Sequence, residues 1–171
     1  MIRVEYMPFD LTSTYKPTPE EALELGFGRI FSNDEIRVTP DISDAPTCIV
    51  ANSDQGLLDR AIRRPNVAGI VINDSELLRM TLEKLKENEK ALVLPLHQIT
   101  CAETRQRLRN IYRMRSLLGS AFRYGADVAV ATLAENKTCL LSSQQMVEVC
   151  MFLGANSKQA DSMVSRLGEM L

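Results

Sequence analysis

The sequence predicts a single α/β domain built on a parallel sheet. Short apolar runs recur at 47–51, 67–72, 91–96 and 127–133, and amphipathic helical segments separate them. Each parallel pairing needs a crossover, so this alternation is the pattern a parallel sheet leaves in a sequence. The 171 residues are 45% apolar and 25% charged, enough for one domain with a real core and no disordered tract.

Taken in order, residues 2–7 (Ile-Arg-Val-Glu-Tyr-Met) alternate apolar and polar and read as a first strand, ending at Pro8-Phe9-Asp10-Leu11. Thr18-Pro19-Glu20-Glu21 marks a helix start, with Thr18 as N-cap, Pro19 in the first turn and Glu21 completing a capping box. That helix stops near Gly26, and Gly28-Arg29-Ile30-Phe31 is a brief strand. Residues 32–45 hold turn residues and a small Ile36/Val38 alternation. Thr47 to Ala51 is a buried strand, after which Asn52-Ser53-Asp54 cap a helix carrying Leu57, Leu58, Ala61 and Ile62. Val67 to Ile72 is the next strand. Asp74 or Ser75 opens a helix with Leu77, Leu78, Leu82 and Leu85, and Ala91 to Leu96 follows as a strand. A long helix runs from about Ala102 to Tyr124, then a strand from Asp127 to Leu133. Two last helices start at Ser142-Ser143 (Met146, Val147, Cys150 and Met151 on one face) and Asn156-Ser157 (Ala160, Met163, Val164, Leu167). About six βα repeats suit a closed or incomplete βα barrel, or an open doubly wound sheet.

Composition excludes several chemistries. His97 is the single histidine, so no multi-histidine metal centre can form. A Ser-His-Asp triad would need His97, and no GxSxG turn carries a serine. An all-carboxylate magnesium site, with Asp10 at a strand end as a ligand, stays open beside Asp10 as a turn residue. His97 also follows a strand, where a barrel has its functional rim, although a lone loop histidine more often has a structural role. Gly26-Phe27-Gly28 is no phosphate loop, because no helix start with Lys-Ser/Thr follows. Cys48, Cys101, Cys139 and Cys150 form no CxxC pair and read as small buried hydrophobes rather than disulfides or a zinc cage. The methionines of the last helices (Met146, Met151, Met163, Met170) read as core or as a partner surface. No apolar run approaches a membrane span, and Met1-Ile2-Arg3-Val4-Glu5 lacks a signal-peptide core, so a cytoplasmic protein is expected.

The net charge of −2 conceals an asymmetry. Residues 1–58 carry 10 acidic and 4 basic side chains, whereas 59–126 carry 7 and 13. Six arginines fall in 103–124 (Arg105, Arg107, Arg109, Arg113, Arg115, Arg123) beside a single acid, Glu103. On a helical wheel Leu108, Ile111, Tyr112, Leu118 and Phe122 form the buried face, and Arg105, Arg109 and Arg113 an exposed stripe. Like charges at i, i+4 repel, so such a stripe serves solubility poorly and fits RNA phosphate or an acidic partner. The alternative is neutralisation by acids from the first 58 residues. Arg115 projects into the apolar face and is expected to have a carboxylate or carbonyl partner. Arg60, Arg63 and Arg64 end the earlier helix, complementing its dipole or extending the basic surface.

The string Arg105-Gln106-Arg107-Leu108-Arg109-Asn110-Ile111-Tyr112-Arg113-Met114-Arg115, then Ala121-Phe122-Arg123-Tyr124-Gly125-Ala126, resembles the protein component 3 (thirty-kilodalton subunit) family of archaeal and eukaryotic ribonuclease P. Collinear with it are Ser142-Ser143-Gln144-Gln145, Phe152-Leu153-Gly154, the final helix and the strand-ending Asp10-Leu11. The likeness is carried by 91–171. It implies a compact TIM-like βα barrel, incomplete or with fewer than eight strands, ending in two C-terminal helices and spanning 1–171 as one domain. It also implies a non-catalytic subunit supporting RNA-catalysed removal of 5′ leaders from precursor tRNA, with magnesium in the ribonucleoprotein and no cofactor on this chain. Expected partners are the ribonuclease P RNA, precursor tRNA and protein component 2; Arg63, Arg64, Arg105, Arg107, Arg109, Arg113 and Arg123 are the expected RNA contacts. A stand-alone magnesium-dependent βα-barrel hydrolase, or a protein-binding scaffold without RNA, are the alternatives.

Overall fold

In a computed structural model, which describes residues 9–12, 15–72 and 79–170, the strands lie in two parallel sheets. The strand expected at 2–7 and the helix start expected at Asp74 or Ser75, with Leu77 and Leu78, lie outside the described residues. Strands β1 (Phe9–Leu11) and β2 (Arg29–Phe31) pair with each other. Strands β3 (Arg37–Thr39), β4 (Cys48–Asn52), β5 (Val67–Ile72), β6 (Ala91–Pro95) and β7 (Asp127–Ala131) form a second sheet in sequence order.

The two sheets are stitched together at β7 and β1. Leu133 N donates to Leu11 O at 2.8 Å, and Thr132 N donates to Asp10 Oδ1 at 2.8 Å. Seven strands thus curl in the order 2-1-7-6-5-4-3, and among the described residues no ladder joins β2 to β3. The fold is barrel-like and open along that seam, which decides between the barrel and the doubly wound sheet left open by the repeat count.

Alternation along the strands makes two cores. Leu92, Leu94, Val128, Val130, Val50 and Ile70 face the helices, whereas Ala91, Val93, Ala129, Ala131, Ile49 and Val71 face the interior. Small alanines fill much of the interior, and Gly69 in β5 is smaller still because it has to be. A Cβ there would stand 2.8 Å from Ala91 O and 2.9 Å from Val93 Cγ2.

The helices begin where their capping residues stand. Helix α1 (Pro19–Glu24) has the Thr18/Glu21 capping box. Asp54 caps α2 (Gln55–Ile62), and α3 is described over Arg79–Glu87. The expected long helix is preceded by a separate turn, α4 (His97–Thr100), and runs as α5 (Thr104–Tyr124) to a left-handed Gly125 at φ 67°. Ser142 and Gln145 box the start of α6 (Ser143–Phe152), and Asn156 with Gln159 do the same for α7 (Ser157–Met170). Helix α7 lies along β7 and β1, and its Leu167 and Met170 join the interior cluster. It therefore covers the seam where only short strands meet. Met146 and Met163 are core, while Met151 of α6 is 47% exposed rather than part of a buried face.

Candidate nucleic-acid interface

Helix α5 is gripped mainly through its C-terminal half. Met114, Leu117, Leu118 and Ala121 are buried against the sheet layer, with Asn110 the one buried residue of the first two turns. The face is rotated from the expected one: Leu108 and Tyr112 are 54% and 71% exposed. Of the expected face Leu118 is buried and Ile111 and Phe122 are half-buried against the core, and the packing of α5 on α3 and β7 centres the buried face on Met114 and Leu118.

With that rotation Arg115 moves from the expected apolar face to the surface, where its guanidinium lies 5.8 Å from the centre of the exposed Phe152 ring. The contact is a cation–π pair rather than a carboxylate or carbonyl pairing. Arg105 and Arg109 are exposed, and Tyr112 and Arg123 continue the same side of the helix. Among the described residues, Arg105, Arg109 and Arg123 make no hydrogen bond or ion pair within the molecule. Three acids of the first 58 residues pair elsewhere: Asp34 with Lys16, Glu35 with Arg29, and Glu21 with Lys137. The Lys137 ammonium, the Thr18 amide and the Tyr15 hydroxyl pull the Glu21 carboxyl down to about 2.

Two other arginines of α5 have internal work. Arg107 folds back so that Nη2 donates to Ala102 O at 3.0 Å and Thr100 O at 3.5 Å, tying down the turn before α5. Arg113 is half-buried and donates to Gln98 Oε1. Arg63 and Arg64 are exposed at the end of α2, beside the start of β5. Helix α2 runs antiparallel to the strands and α3 lies between it and α5, so this pair is not brought together with Arg105 and Arg109 at the opposite end.

At the C-terminal ends of β6 and β7 a cleft of about 640 Å³ opens beside the first turns of α5. His97 and Gln98 of α4 form one wall, Gln106, Asn110 and Arg113 of α5 another, and Glu135 and Asn136 a third. A disulfide between Cys101 and Cys139 joins the loops on either side, which corrects the expectation that all four cysteines are free; Cys48 and Cys150 alone are. A separation of 38 residues with no motif left that pairing without a sequence signal. His97 is held by its backbone amide on Thr132 O at 2.9 Å, and burial lowers its pKa, outweighing Glu135 and the Thr132 contact. Burial thus favours the neutral ring.

Asp10 is neither a ligand-bearing strand end nor a turn residue. It is fully buried in β1, and both its oxygens accept from Thr132, one from the amide and one from the hydroxyl. Burial raises its pKa to about 6 against the opposing pull of those bonds. Among the described residues no group of three His, Cys, Asp or Glu side chains can hold a metal ion.

No family model matches the chain, and no curated protein matches it. Among solved structures it is similar to a chain in the cryo-EM structure of archaeal ribonuclease P with mature tRNA, at TM-score 0.72 and 12% identity, over 98% of this chain and 81% of that one. It is also similar to Aspergillus niger ochratoxinase (TM-score 0.50, 8% identity), over 92% of this chain and 52% of that one. Among the described residues no helix is long and apolar enough to cross a membrane. At these identities the likeness is one of fold: nearly the whole chain shares the architecture of a chain found in archaeal ribonuclease P.

Proposed function

We propose that this protein is a non-catalytic subunit of ribonuclease P, of the component 3 type, supporting the RNA-catalysed removal of 5′ leaders from precursor tRNA in the cytoplasm. The observation that carries the reading is the guanidinium row of α5. Arg105, Arg109 and Arg123 face solvent without internal partners among the described residues. Forked donors free of carboxylates are suited to phosphate oxygens, and releasing counterions from RNA supplies the affinity. The fold likeness to a chain of the archaeal particle supports the same assignment.

Arg107 and Arg113 support this surface from behind, by fixing the turn before α5 and the Gln98 wall. Arg63 and Arg64, at the far end, form a separate basic point for the same RNA. Exposed Leu108 and Tyr112, with Phe152 under Arg115, provide an apolar surface for component 2. The magnesium of such a particle is assigned to its RNA. The hydrolase alternative loses its proposed ligand, because Asp10 is sealed in the β1–β7 seam.

The test is reversal of Arg105 and Arg109 to glutamate, two exposed residues whose loss leaves the core untouched. The slope of log affinity against log salt for ribonuclease P RNA should shrink by about 2, one for each phosphate contact. Precursor-tRNA processing by the reconstituted particle should fall in parallel. Unchanged slope and unchanged processing in this double variant would refute the assignment, and purification from the host free of RNA would favour the protein scaffold.

A further inference from the structure

We infer that the cleft between α4, α5 and the loop after β7 receives a single unpaired nucleobase of the bound RNA, so that the surface selects bulged or looped nucleotides over continuous duplex. The inference rests on the RNA reading above and adds to it a pocket, an orientation and a preference.

The chemistry of the lining points to this ligand class. The Gln98 side chain gives its oxygen to Arg113 and leaves its amide donor. Gln106 gives its Nε2 to Asn110 Oδ1 at 3.0 Å and leaves its oxygen as an acceptor. Asn136 receives the Thr138 hydroxyl on Oδ1 at 2.6 Å and leaves its Nδ2 donor. His97 Nδ1 is buried with no hydrogen-bond partner among the described residues. Both donors and acceptors thus line a cleft of about 640 Å³, a size that suits a small planar ligand.

Other ligands fit less well. A purely apolar ligand would leave these amides unpaired at a cost. A free phosphate would meet the Glu135 carboxylate on the same wall as Asn136. A nucleobase edge matches both kinds of group, and the disulfide with Ala102 offers a less polar surface for its face.

Position supplies the second half of the argument. Gln106 and Asn110, on the cleft, each follow an exposed arginine, Arg105 and Arg109, by one residue of α5. One residue is about 100° around a helix, so the phosphate row and the cleft are adjacent faces of the same two turns. A strand with its phosphates on Arg105 and Arg109 can turn one base into the cleft. A paired base in a duplex cannot turn without unpairing, whereas a bulged one is already free to. The disulfide joins the loops that frame the opening, so the receptor is preformed rather than assembled on binding.

The experiment compares two hairpin RNAs, one fully paired and one with a single-nucleotide bulge, by fluorescence anisotropy at fixed salt. A captured base is worth about 1–3 kcal/mol, so the oxidised wild-type protein should prefer the bulged hairpin by roughly 5- to 150-fold. Ala102→Trp, which fills the cleft, should bring the two affinities within about twofold without weakening binding to the paired hairpin. Asn136→Ala, a milder change at an exposed position, should cut the preference by at least threefold. Equal wild-type affinity for both hairpins, with Arg105→Glu/Arg109→Glu weakening both, overturns the cleft and leaves the RNA reading standing. A preference that survives both cleft variants overturns it as well. Failure of the wild-type protein to bind either hairpin overturns the cleft and the RNA reading together.

Discussion

Replacing Asp10 by asparagine should stabilise this protein at neutral pH, although the aspartate makes good hydrogen bonds. The folded carboxyl protonates at about 6 against an ordinary 3.8, because burial disfavours its charge more than the Thr132 hydroxyl, the Thr132 amide and the Leu11 amide favour it. Between those pH values the folded state holds the extra proton, so stability falls as pH rises through the window and stays lower above it. At 1.36 kcal/mol per pH unit the penalty at pH 7.5 is about 3 kcal/mol. Asparagine keeps the geometry. Its oxygen can accept from Thr132 N, and its amide can donate to Thr132 Oγ1, whose own proton has Leu11 O at 3.4 Å. Urea unfolding from pH 4 to pH 8 reads the effect as the difference between wild type and Asp10→Asn. The difference cancels Glu21, whose lowered pKa acts in the opposite sense as pH falls towards about 2. The variant should lead by about 3 kcal/mol above pH 7 and by almost nothing near pH 4, with an unchanged m value. A difference independent of pH, or a variant weaker than wild type at pH 7.5, would show that Asp10 is not a sealed carboxylate. RNA binding should be the same in both proteins.

Four further outcomes follow from single positions. Gly69→Ala pushes a methyl group to 2.8 Å from Ala91 O in the barrel interior, so urea unfolding should show a loss of about 1–3 kcal/mol. Gly119→Ala, at an exposed position of α5 with nothing within 4 Å, should raise stability by about 1 kcal/mol; a lower melting temperature would mean that α5 is not a regular helix there. Reduction of Cys101–Cys139 releases a closure of 38 residues and should cost about 2–4 kcal/mol, read as a drop in the urea midpoint. In the same sample Cys150, its thiol pushed up to about 12 by burial, should resist alkylation until the protein unfolds.

Much of this architecture was legible because local chemistry and global fold agree. The apolar runs at Cys48–Asn52, Val67–Ile72, Ala91–Pro95 and Asp127–Ala131 became the continuous parallel strands, and Thr18, Asp54 and Ser142 each cap the helix they precede. What decides closure was not legible. The bonds that join the two sheets link Leu11 to Leu133 and Asp10 to Thr132, the latter 122 residues away, and none of these residues carries a local sign of its partner. The phase of α5 failed for a related reason. Of the face read as Leu108, Ile111, Tyr112, Leu118 and Phe122, Leu118 is buried and Ile111 and Phe122 pack against the core, whereas Leu108 and Tyr112 face out, and only the neighbouring α3 and β7 bring Met114, Leu117 and Ala121 into the buried face.

The arginine row shows why that phase matters for function. Read with Leu108 and Tyr112 inside, the helix has a narrow cationic stripe with Arg109 at its centre and Arg113 at its edge. Turned as the structure has it, Arg113 is drawn into the wall of a cleft, and Tyr112 comes out among Arg105, Arg109 and Arg123. Repulsion between Arg105 and Arg109 costs only a few tenths of a kcal/mol, which the buried half of α5 easily outweighs. A helix anchored through its C-terminal half can therefore hold Arg105 and Arg109 unneutralised at the other end. Carboxylates are plentiful in residues 1–58, yet those that pair do so with Lys16, Arg29 and Lys137, and none with Arg105, Arg109 or Arg123 among the described residues. A surface evolved only for solubility would have spent one of those acids on the row. That no described acid meets the row is the physical support for the proposal that a polyanion lies against this helix.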